Sequence, residues 1–245
     1  MHPNEVTTRV SNAFDIEAQV KGALQKRRAQ LSFQRQREWI LRVLSPAEGM
    51  IVDLGCGIGP LIPDLIATGR SIVGVDGSKN SVEIAQNYWG KLATIIHAQS
   101  DHLPFNDASC GAVIALGLFE YLNEPHTTLQ TIHRILAPNG QLLLTIPAAN
   151  APYHRVSYGL SDLKNRLMGG EGSLVRWKPS RDEICSAFEH SGFTSPQLDR
   201  CNARIIMPPF DRIFPTLRSL DSFVEKVTHL GSTWLIQARR RGHSI

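Results

Sequence analysis

The sequence has few of the features that mark secreted, metal-binding or membrane-spanning proteins. Its four cysteines, Cys56, Cys110, Cys185 and Cys201, show no paired short spacing, which argues against a zinc site and against a disulfide scaffold. No apolar run reaches membrane-spanning length, and the segment MHPNEVTTRV lacks the pattern of a signal peptide. We therefore expect reduced thiols, no metal and a cytoplasmic location.

The chain also has only a small net charge. The net charge is +4, and much of it lies between Lys21 and Arg42 and in the tail Arg239, Arg240 and Arg241. Such clusters usually form solvated helix faces, and contact with an anionic partner is the alternative interpretation.

Internal repeats, low-complexity tracts and obvious linkers are absent, and a chain of 245 residues with 42% apolar content can bury one sizeable core. A helix is expected from Val20 to Leu44, with Leu24, Leu31, Ile40 and Leu44 as candidate buried positions. From Met50 onward, short apolar runs alternate with helix-like segments. The runs are MIVDL, SIVGVD, ATIIHA, GAVIALG and QLLLTIP, with two later strands near 197–206 and 233–238.

Continuous apolar runs suit strands that are covered on both faces, and the helices between them supply the crossovers of a parallel sheet. The pattern therefore predicts a doubly wound α/β fold with a seven-stranded sheet. A later segment, SRDEICSAFEHSGF, carries a predicted capping box at Ser180 and Glu183 and a helix stop at Gly192.

A glycine-rich loop follows the first apolar run in IVDLGCGIGP, where Gly55, Gly57 and Gly59 occupy alternate positions. In an open α/β sheet the ligand lies beyond the carboxyl ends of the strands, where this loop falls. The loop lacks the lysine and hydroxyl residue of a P-loop. It also lacks the third glycine of a dinucleotide fingerprint, since Pro60 stands in that place, which weakens that alternative without removing it.

Two acids sharpen the choice of ligand. Asp76 ends the second apolar run, where an acid can accept hydrogen bonds from two ribose hydroxyls. Asp53 ends the first run, where a carboxylate suits a cationic group better than a pyrophosphate. A nucleoside joined to a cationic amino-acid tail fits both, although Asp53 could cap a turn and Asp76 a helix.

IVDLGCGIGP and the following VGVDGS resemble the first two motifs of class I S-adenosylmethionine-dependent methyltransferases. HLPFNDASCGAVIALGLFEYL and IHRILAPNGQLLLTIP resemble the fourth- and fifth-strand regions of that family, so the similarity covers roughly residues 50–147. The resemblance implies a Rossmann-like, mostly parallel sheet with an antiparallel last strand, and S-adenosyl-L-methionine as cofactor.

The resemblance also implies roles for individual residues. Those implied to bind the cofactor are Asp53, Gly55, Cys56 and Gly57 at the methionine and ribose portion, Asp76 at the ribose hydroxyls, Gly77, Gln99 and Ser100 near the adenine, and Leu116 and Gly117 at the amino group. The family often has Gly-Asp-Ala where this chain has Ala98, Gln99 and Ser100, and Asp101 is a nearby rival for the adenine contact.

The acceptor pocket is expected where two insertions cover the same sheet edge. One domain is predicted, with an N-terminal helical segment (1–48), a cofactor-binding core (49–147) and substrate-side insertions (148–178 and 207–231). In the first insertion, His154 is the candidate base, beside Tyr153 and Tyr158, while Glu120 and Tyr121 border the same space. Residues 156–167 could form an amphipathic lid that touches a membrane or a lipophilic substrate; packing onto the domain is the simpler interpretation.

The expected function is therefore methyl transfer to an O, N or C atom of a small, bulky or lipophilic metabolite. A nucleic-acid or protein methyltransferase, a nicotinamide-dependent oxidoreductase and a noncatalytic cofactor-binding partner stay open as alternatives. Nucleic acid is disfavoured because the run LGLFEYLNEP after the fourth strand lacks an Asp-Pro-Pro-aromatic motif and the chain contains no Pro-Cys pair.

Overall fold

A computed structural model describes residues 30–46, 49–148, 177–201 and 232–241. The described helices are α1 (Leu31–Val43), α2 (Ile62–Ile66), α3 (Lys79–Trp89), α4 (Pro125–Ile135) and α5 (Arg181–His190), with a 3₁₀ turn at Phe119–Tyr121. The strands are β1 (Met50–Leu54), β2 (Ile72–Asp76), β3 (Thr94–His97), β4 (Cys110–Ala115), β5 (Leu136–Pro147), β6 (Gln197–Cys201) and β7 (Thr233–Arg239).

The seven strands form one sheet in the order β3-β2-β1-β4-β5-β7-β6. β1 to β5 are parallel, whereas β7 runs antiparallel between β5 and β6. The prediction of a doubly wound, mostly parallel sheet is confirmed. The carboxyl ends of β1, β2 and β4 therefore meet at one edge, and the start of β7 joins them because Thr233 pairs with Pro147.

Both faces of the sheet are covered, since successive strand residues point to opposite sides. Val52 packs in a cluster with residues of α4 and α5, whereas its neighbour Ile51 packs in a second cluster with residues of α1, α2 and α3. This two-sided burial explains why the strand sequences are continuously apolar.

Two predictions about helix ends are confirmed. Ser180 and Glu183 form a capping box on α5, in which each side chain accepts a hydrogen bond from the other residue's backbone N–H. Gly192 follows the helix with a φ of +84°. That left-handed conformation suits a glycine just past a helix end.

The N-terminal helix prediction is only partly confirmed. Ile40 is fully buried, but Leu31, the first residue of α1, is 58% exposed and its predicted burial is wrong, because its side chain lies on the solvent-facing side of the helix. Gln141, buried in β5, joins this helix to the sheet through Val43 O and Ser45 N–H.

Several predictions lie outside the described residues: Leu24, most of both substrate-side insertions, the membrane-contacting lid at 156–167, and 202–206 of the predicted sixth strand. The four cysteines all lie in the described ranges, and none of them forms a disulfide. No helix in the described ranges is both long and apolar enough to cross a bilayer.

Candidate functional site

The glycine-rich loop lies where β1 ends beside β2. The N–H groups of Gly55 and Cys56 both donate to Val75 O, at 2.8 and 3.0 Å, so the loop folds back over the neighbouring strand. Gly55, Gly57 and Gly59 have φ values of +73°, +54° and +77°. Glycine is favoured at each, because a side chain in this left-handed region is strained.

The three glycines nevertheless face different surroundings. A Cβ on Gly59 would lie 2.6 Å from the Trp89 ring, and one on Gly55 would lie 3.2 Å from the Leu118 side chain. A Cβ on Gly57 would meet nothing within 4 Å. Gly59 and Gly55 therefore make room for the protein's own side chains, whereas Gly57 borders open space that a ligand could fill.

Asp76, at the end of β2, holds the loop in place. Its Oδ2 accepts from Gly57 N–H and its Oδ1 from Ser78 N–H, both at 2.8 Å. The alternative interpretation of Asp76 as a helix cap is wrong, because Ser78 is the N-cap of α3 and accepts from Ser81 N–H.

Asp53, at the end of β1, is a buried acid beside the same loop. Its side chain is 3% exposed, and its Oδ2 has no hydrogen-bond partner among the residues that the structure describes. Burial, followed by the negative charge of Asp76, raises the pKa of Asp53 to about 7. A buried carboxylate oxygen without a donor is costly, so this position fits a ligand that brings a donor or a positive charge.

Cys56, between Gly55 and Gly57, is buried, and its Sγ contacts Gly57 O at 3.6 Å. Burial raises the pKa of its thiol well above the ordinary value, and Asp53 and Asp76 add to the shift. The thiol is therefore neutral at physiological pH and is a poor nucleophile. It packs the loop from within, since a Cβ on Gly74 of β2 would lie 3.0 Å from its Sγ.

The residues predicted to surround an adenine lie together at the ends of β2 and β3. A Cβ on Gly77 would lie 3.2 Å from Gln99 Oε1, so this amide packs directly against the glycine. His97 Nε2 lies 3.0 Å from Gly77 O, so this histidine joins the end of β3 to the turn after β2.

The two neighbouring candidates for that contact have different surroundings. Ser100 Oγ is 3.2 Å from Thr128 Oγ1 of α4, whereas the rival Asp101 carries an ion pair with the adjacent His102, at 3.0 Å.

The turn after β4 reaches the glycine loop from the other side. Gly117 has a φ of +65° and donates its N–H to Thr145 Oγ1 of β5 at 3.0 Å. Leu116 is half-buried, and Leu118 contacts Gly55 as described above. Gly117 and Gly55 thus lie at the edge predicted for the cofactor.

Beyond this turn, Phe119, His126 and Trp177 form an aromatic cluster. The Trp177 ring centroid lies 5.9 Å from that of Phe119 and 6.3 Å from that of His126. Trp177 N–H donates to Glu120 O at 3.3 Å, and Glu120 itself is 8% exposed. The end of the first insertion therefore packs onto the segment that follows β4.

A groove of about 520 Å³ continues from the aromatic cluster along α5. It is lined by His126, Trp177, Asp182, Glu183, Ser186, Ala187 and His190. Glu183 also belongs to the capping box, and His190 Nδ1 bonds to Ser186 O at 2.7 Å. Within the described ranges, no three His, Cys, Asp or Glu side chains form a metal-binding group.

His154, the candidate base, lies outside the described residues, as do Tyr153 and Tyr158.

Sequence reasoning missed three residues that shape the site. Trp89 donates from Nε1 to Ile58 O at 3.1 Å and supports the loop, Thr145 holds Gly117, and Trp177 builds the aromatic cluster. Only Trp177 gave a usable signal, as an aromatic residue at the end of a predicted substrate-side insertion.

Comparison with known proteins adds an independent line of evidence. A family model described as a methyltransferase domain matches residues 52–144, from β1 into β5. Demethylmenaquinone methyltransferase from Clavibacter sepedonicus is 26% identical over 220 residues, which are 80% of this chain and 87% of that protein.

Two further relatives differ in how much they share. The mitochondrial ubiquinone biosynthesis O-methyltransferase of Rattus norvegicus is 30% identical over 108 residues, 41% of this chain, and the match spans only 31% of the rat protein. A chain from the complex between the Haloferax volcanii Trm112 methyltransferase activator and a methyltransferase superposes with a TM-score of 0.68. It is 25% identical, with 96% of this chain and 99% of that chain covered.

Proposed function

Because the chain is a class I S-adenosylmethionine-dependent methyltransferase, we propose that it methylates an oxygen or a ring carbon of a lipophilic quinol-type metabolite. The observation that carries this proposal is the aromatic cluster of Phe119, His126 and Trp177 beside the predicted methyl-donor site. Flat aromatic side chains suit a flat ring. The demethylmenaquinone and ubiquinone methyltransferases among the relatives support the same acceptor class.

The residues at the strand ends fit the cofactor that this function requires. Gly57 borders open space, and the buried Asp53 Oδ2 lacks a donor that a ligand could supply. We assign Asp76 to the ribose hydroxyls, Asp53, Gly55, Cys56 and Gly57 to the methionine portion, and Gly77, Gln99 and Ser100 to the adenine. Backbone carbonyls of Leu116 and Gly117 would accept from the amino group.

Holding the loop does not by itself prevent Asp76 from binding a ribose, since a carboxylate can accept about four hydrogen bonds. The glycine loop and the ribose would then both donate hydrogen bonds to the same carboxylate. Cofactor binding and loop geometry are therefore coupled at Asp76.

When bound, S-adenosylmethionine supplies an activated methyl group, so the protein's work is mainly alignment and exclusion of water. Trp177 and His126, which line the groove, would hold the acceptor ring in place, and the fully buried Phe119 supports Trp177 from behind. A phenolic hydroxyl is protonated at neutral pH, as its pKa is about 10, so an oxygen acceptor needs a base. We propose that Glu120, buried just after β4, or His154 takes that proton.

Release of S-adenosylhomocysteine across a panel of acceptors tests the proposal. A demethylated quinol with a prenyl tail should be turned over, whereas a tail-free catechol, histamine and single-stranded DNA should react much more slowly. The Trp177→Ala variant should raise KM for the quinol and leave KM for the cofactor unchanged. Turnover of the DNA alone, or an unchanged quinol KM in Trp177→Ala, would contradict it.

The base assignment has its own test. Glu120→Gln and His154→Gln should be compared over a pH series, because loss of the base lowers kcat most where the acceptor is protonated. The variant whose kcat recovers at high pH identifies the base; full activity in both would refute a role for either residue.

We further propose that a protein partner binds near the exposed side of α3. Tyr88 and Leu92 are 63% and 65% exposed there, beside the edge strand β3, and the Haloferax relative was solved with an activator. Co-purification with the Trm112 activator should be lost in a Tyr88→Ser, Leu92→Ser double variant and retained in a Leu41→Ser control. Failure of the unaltered chain to co-elute would exclude this partner.

A further inference from the structure

Asp53 combines three features that the methyl-transfer reaction does not by itself explain. Its carboxyl is almost completely buried at the end of β1, one of its oxygens has no hydrogen-bond partner, and another carboxylate, Asp76, lies close enough to act on it. A buried charge of this kind is unfavourable unless something of opposite sign compensates it.

The surroundings of Asp53 in the described part of the chain provide no such compensation. In the sheet its neighbours are Gly74 on β2 and Ile114 on β4, and neither carries charge. The titratable groups that interact with it are the Asp76 carboxylate and the Cys56 thiol. The first is negative and the second neutral, and no lysine, arginine or histidine contributes to the shift of its pKa.

These features have a consequence for the empty protein. Because burial and Asp76 both favour the neutral acid, Asp53 holds a proton over a pH range in which an ordinary aspartate is ionised. A cation placed beside the carboxyl reverses that preference, since it stabilises the ionised form. Binding of a cation beside the carboxyl would therefore release the proton from Asp53.

We propose that Asp53 is the counter-ion of a cationic group at the methionine end of the cofactor, and that it gives up its proton as the cofactor binds. The shared chemistry is a positive charge, which either the sulfonium or the α-ammonium group supplies. The inference rests on the role assigned above to the glycine loop, and it goes beyond that role by making binding proton-linked. It also makes Asp53 a residue that discriminates between ligands by charge.

The direction of the pH dependence follows from linkage. A group with a raised pKa in the free protein and an ordinary one in the complex binds more protons before binding than after it, so affinity rises with pH up to the raised value. With a pKa of about 7, affinity at pH 6 is expected to be roughly tenfold lower than the plateau above pH 8. About one proton is released at pH 6 and almost none at pH 8.5.

Isothermal titration calorimetry in buffers of different ionisation enthalpy measures the released protons directly, without turnover. S-adenosylmethionine, S-adenosylhomocysteine and 5′-methylthioadenosine should be compared at pH 6 and pH 8.5. The last compound is neutral at the sulfur and has no α-amino group, so it should release no proton. Release with S-adenosylmethionine alone identifies the sulfonium, and release with both S-adenosylmethionine and S-adenosylhomocysteine identifies the ammonium.

An Asp53→Asn variant separates this effect from titration of the ligand's own amino group. The proton release of the unaltered protein minus that of the variant should approach one at pH 6. Binding of S-adenosylmethionine without proton exchange, or equal release in both proteins, would overturn the inference and leave the cofactor site standing. Absence of binding by all three compounds at either pH would instead refute the site and the inference together.

Discussion

At the scale of single residues, the glycine loop shows how one motif serves several physical purposes. Gly59 leaves room for the Trp89 ring, Gly55 leaves room for Leu118, and Gly57 alone borders open space. The sequence predicted the loop and its ligand but could not distinguish the three positions. Trp89 and Leu118 lie 30 and 63 residues away along the chain, and their contacts arise only from the tertiary fold.

Alanine at two of these positions should destabilise the fold to different extents. Gly59→Ala combines a φ of +77° with a Cβ 2.6 Å from Trp89, so the free energy of unfolding should fall by about 2–5 kcal/mol. Gly57→Ala adds strain but no clash, so its unfolding free energy should fall by only about 1–2 kcal/mol.

Urea denaturation of the two free proteins checks the stabilities. Isothermal titration calorimetry measures the cofactor affinity of Gly57→Ala. This affinity should be reduced, because the added methyl group enters the space assigned to the cofactor. Normal cofactor affinity in Gly57→Ala would show that this space is not the binding crevice.

Asp76 should be the most sensitive polar residue of the site. Asp76→Ala removes the acceptor of both Gly57 N–H and Ser78 N–H as well as the proposed ribose contact. Affinity for S-adenosylhomocysteine should fall by about 1–3 kcal/mol, the usual effect of losing hydrogen bonds to a charged group. Ser81→Ala, in the helix α3 that follows Asp76 and not assigned to the ligand, is the control; equal losses in both would argue against the ribose assignment.

At the scale of elements, the boundaries show what a local pattern can and cannot predict. The capping box of α5 was predictable because both of its partners lie within one turn. The start of β5 was not, since APNG resembles a turn, yet Leu136 pairs with Cys110 and Gly140 O accepts from Arg240 N–H at 2.9 Å. Pairing with distant strands extends β5 beyond its apolar run.

The α5 cap allows a test that does not involve the ligand. Ser180→Ala removes the acceptor of Glu183 N–H and should lower the free energy of unfolding by about 1 kcal/mol at pH 7. Ser180→Thr retains a hydroxyl and should lose less.

The difference between a Glu183→Gln variant, which lacks the titrating carboxylate, and the unaltered protein should also depend on pH. The Ser180 N–H lowers the pKa of Glu183. A lowered acid pKa stabilises the fold above the ordinary value, and this part of the stability is lost as pH falls through the lowered one. A difference that stays constant from pH 7 to pH 2 in thermal denaturation would speak against the reciprocal bond.

At the scale of the whole molecule, the sheet joins distant parts of the chain. β7 comes from the last residues of the sequence and fills the place between β5 and β6. The number of strands and the parallel core could be predicted from the alternation of apolar runs and helices. The antiparallel direction of β7 was implied only by the family resemblance, and its place between β5 and β6 was not predicted. Strand order is a long-range property that no local pattern encodes.

Removal of residues 232–245 should therefore prevent folding. β7 provides Trp234 and Ile236 to one face of the sheet and Leu235 to the other, and without it β6 has no partner strand. Far-ultraviolet circular dichroism and gel filtration should show an unfolded or aggregated chain. Removal of 242–245 alone leaves β7 complete and should be tolerated, and a folded, monodisperse 1–231 fragment would contradict this account of the sheet.

Ligand-induced stabilisation tests the site in the intact protein. At a hundred times its Kd, a ligand that binds only the native state adds about 2.7 kcal/mol, which for a chain of this size raises Tm by about 5–10 °C. S-adenosylhomocysteine should produce this shift and NADH should not. Stabilisation by NADH alone would favour the oxidoreductase alternative.

The indole of Trp89 packs against Gly59 of the glycine loop, whereas that of Trp177 packs against Phe119, just after β4. Each is an intrinsic fluorophore attached to a different half of the crevice. In variants in which Trp39, Trp234 and one of these two are replaced by phenylalanine, the emission of the remaining tryptophan should report the occupancy of its own half. The order in which the two substrates arrive can then be followed in a stopped-flow instrument without any added dye.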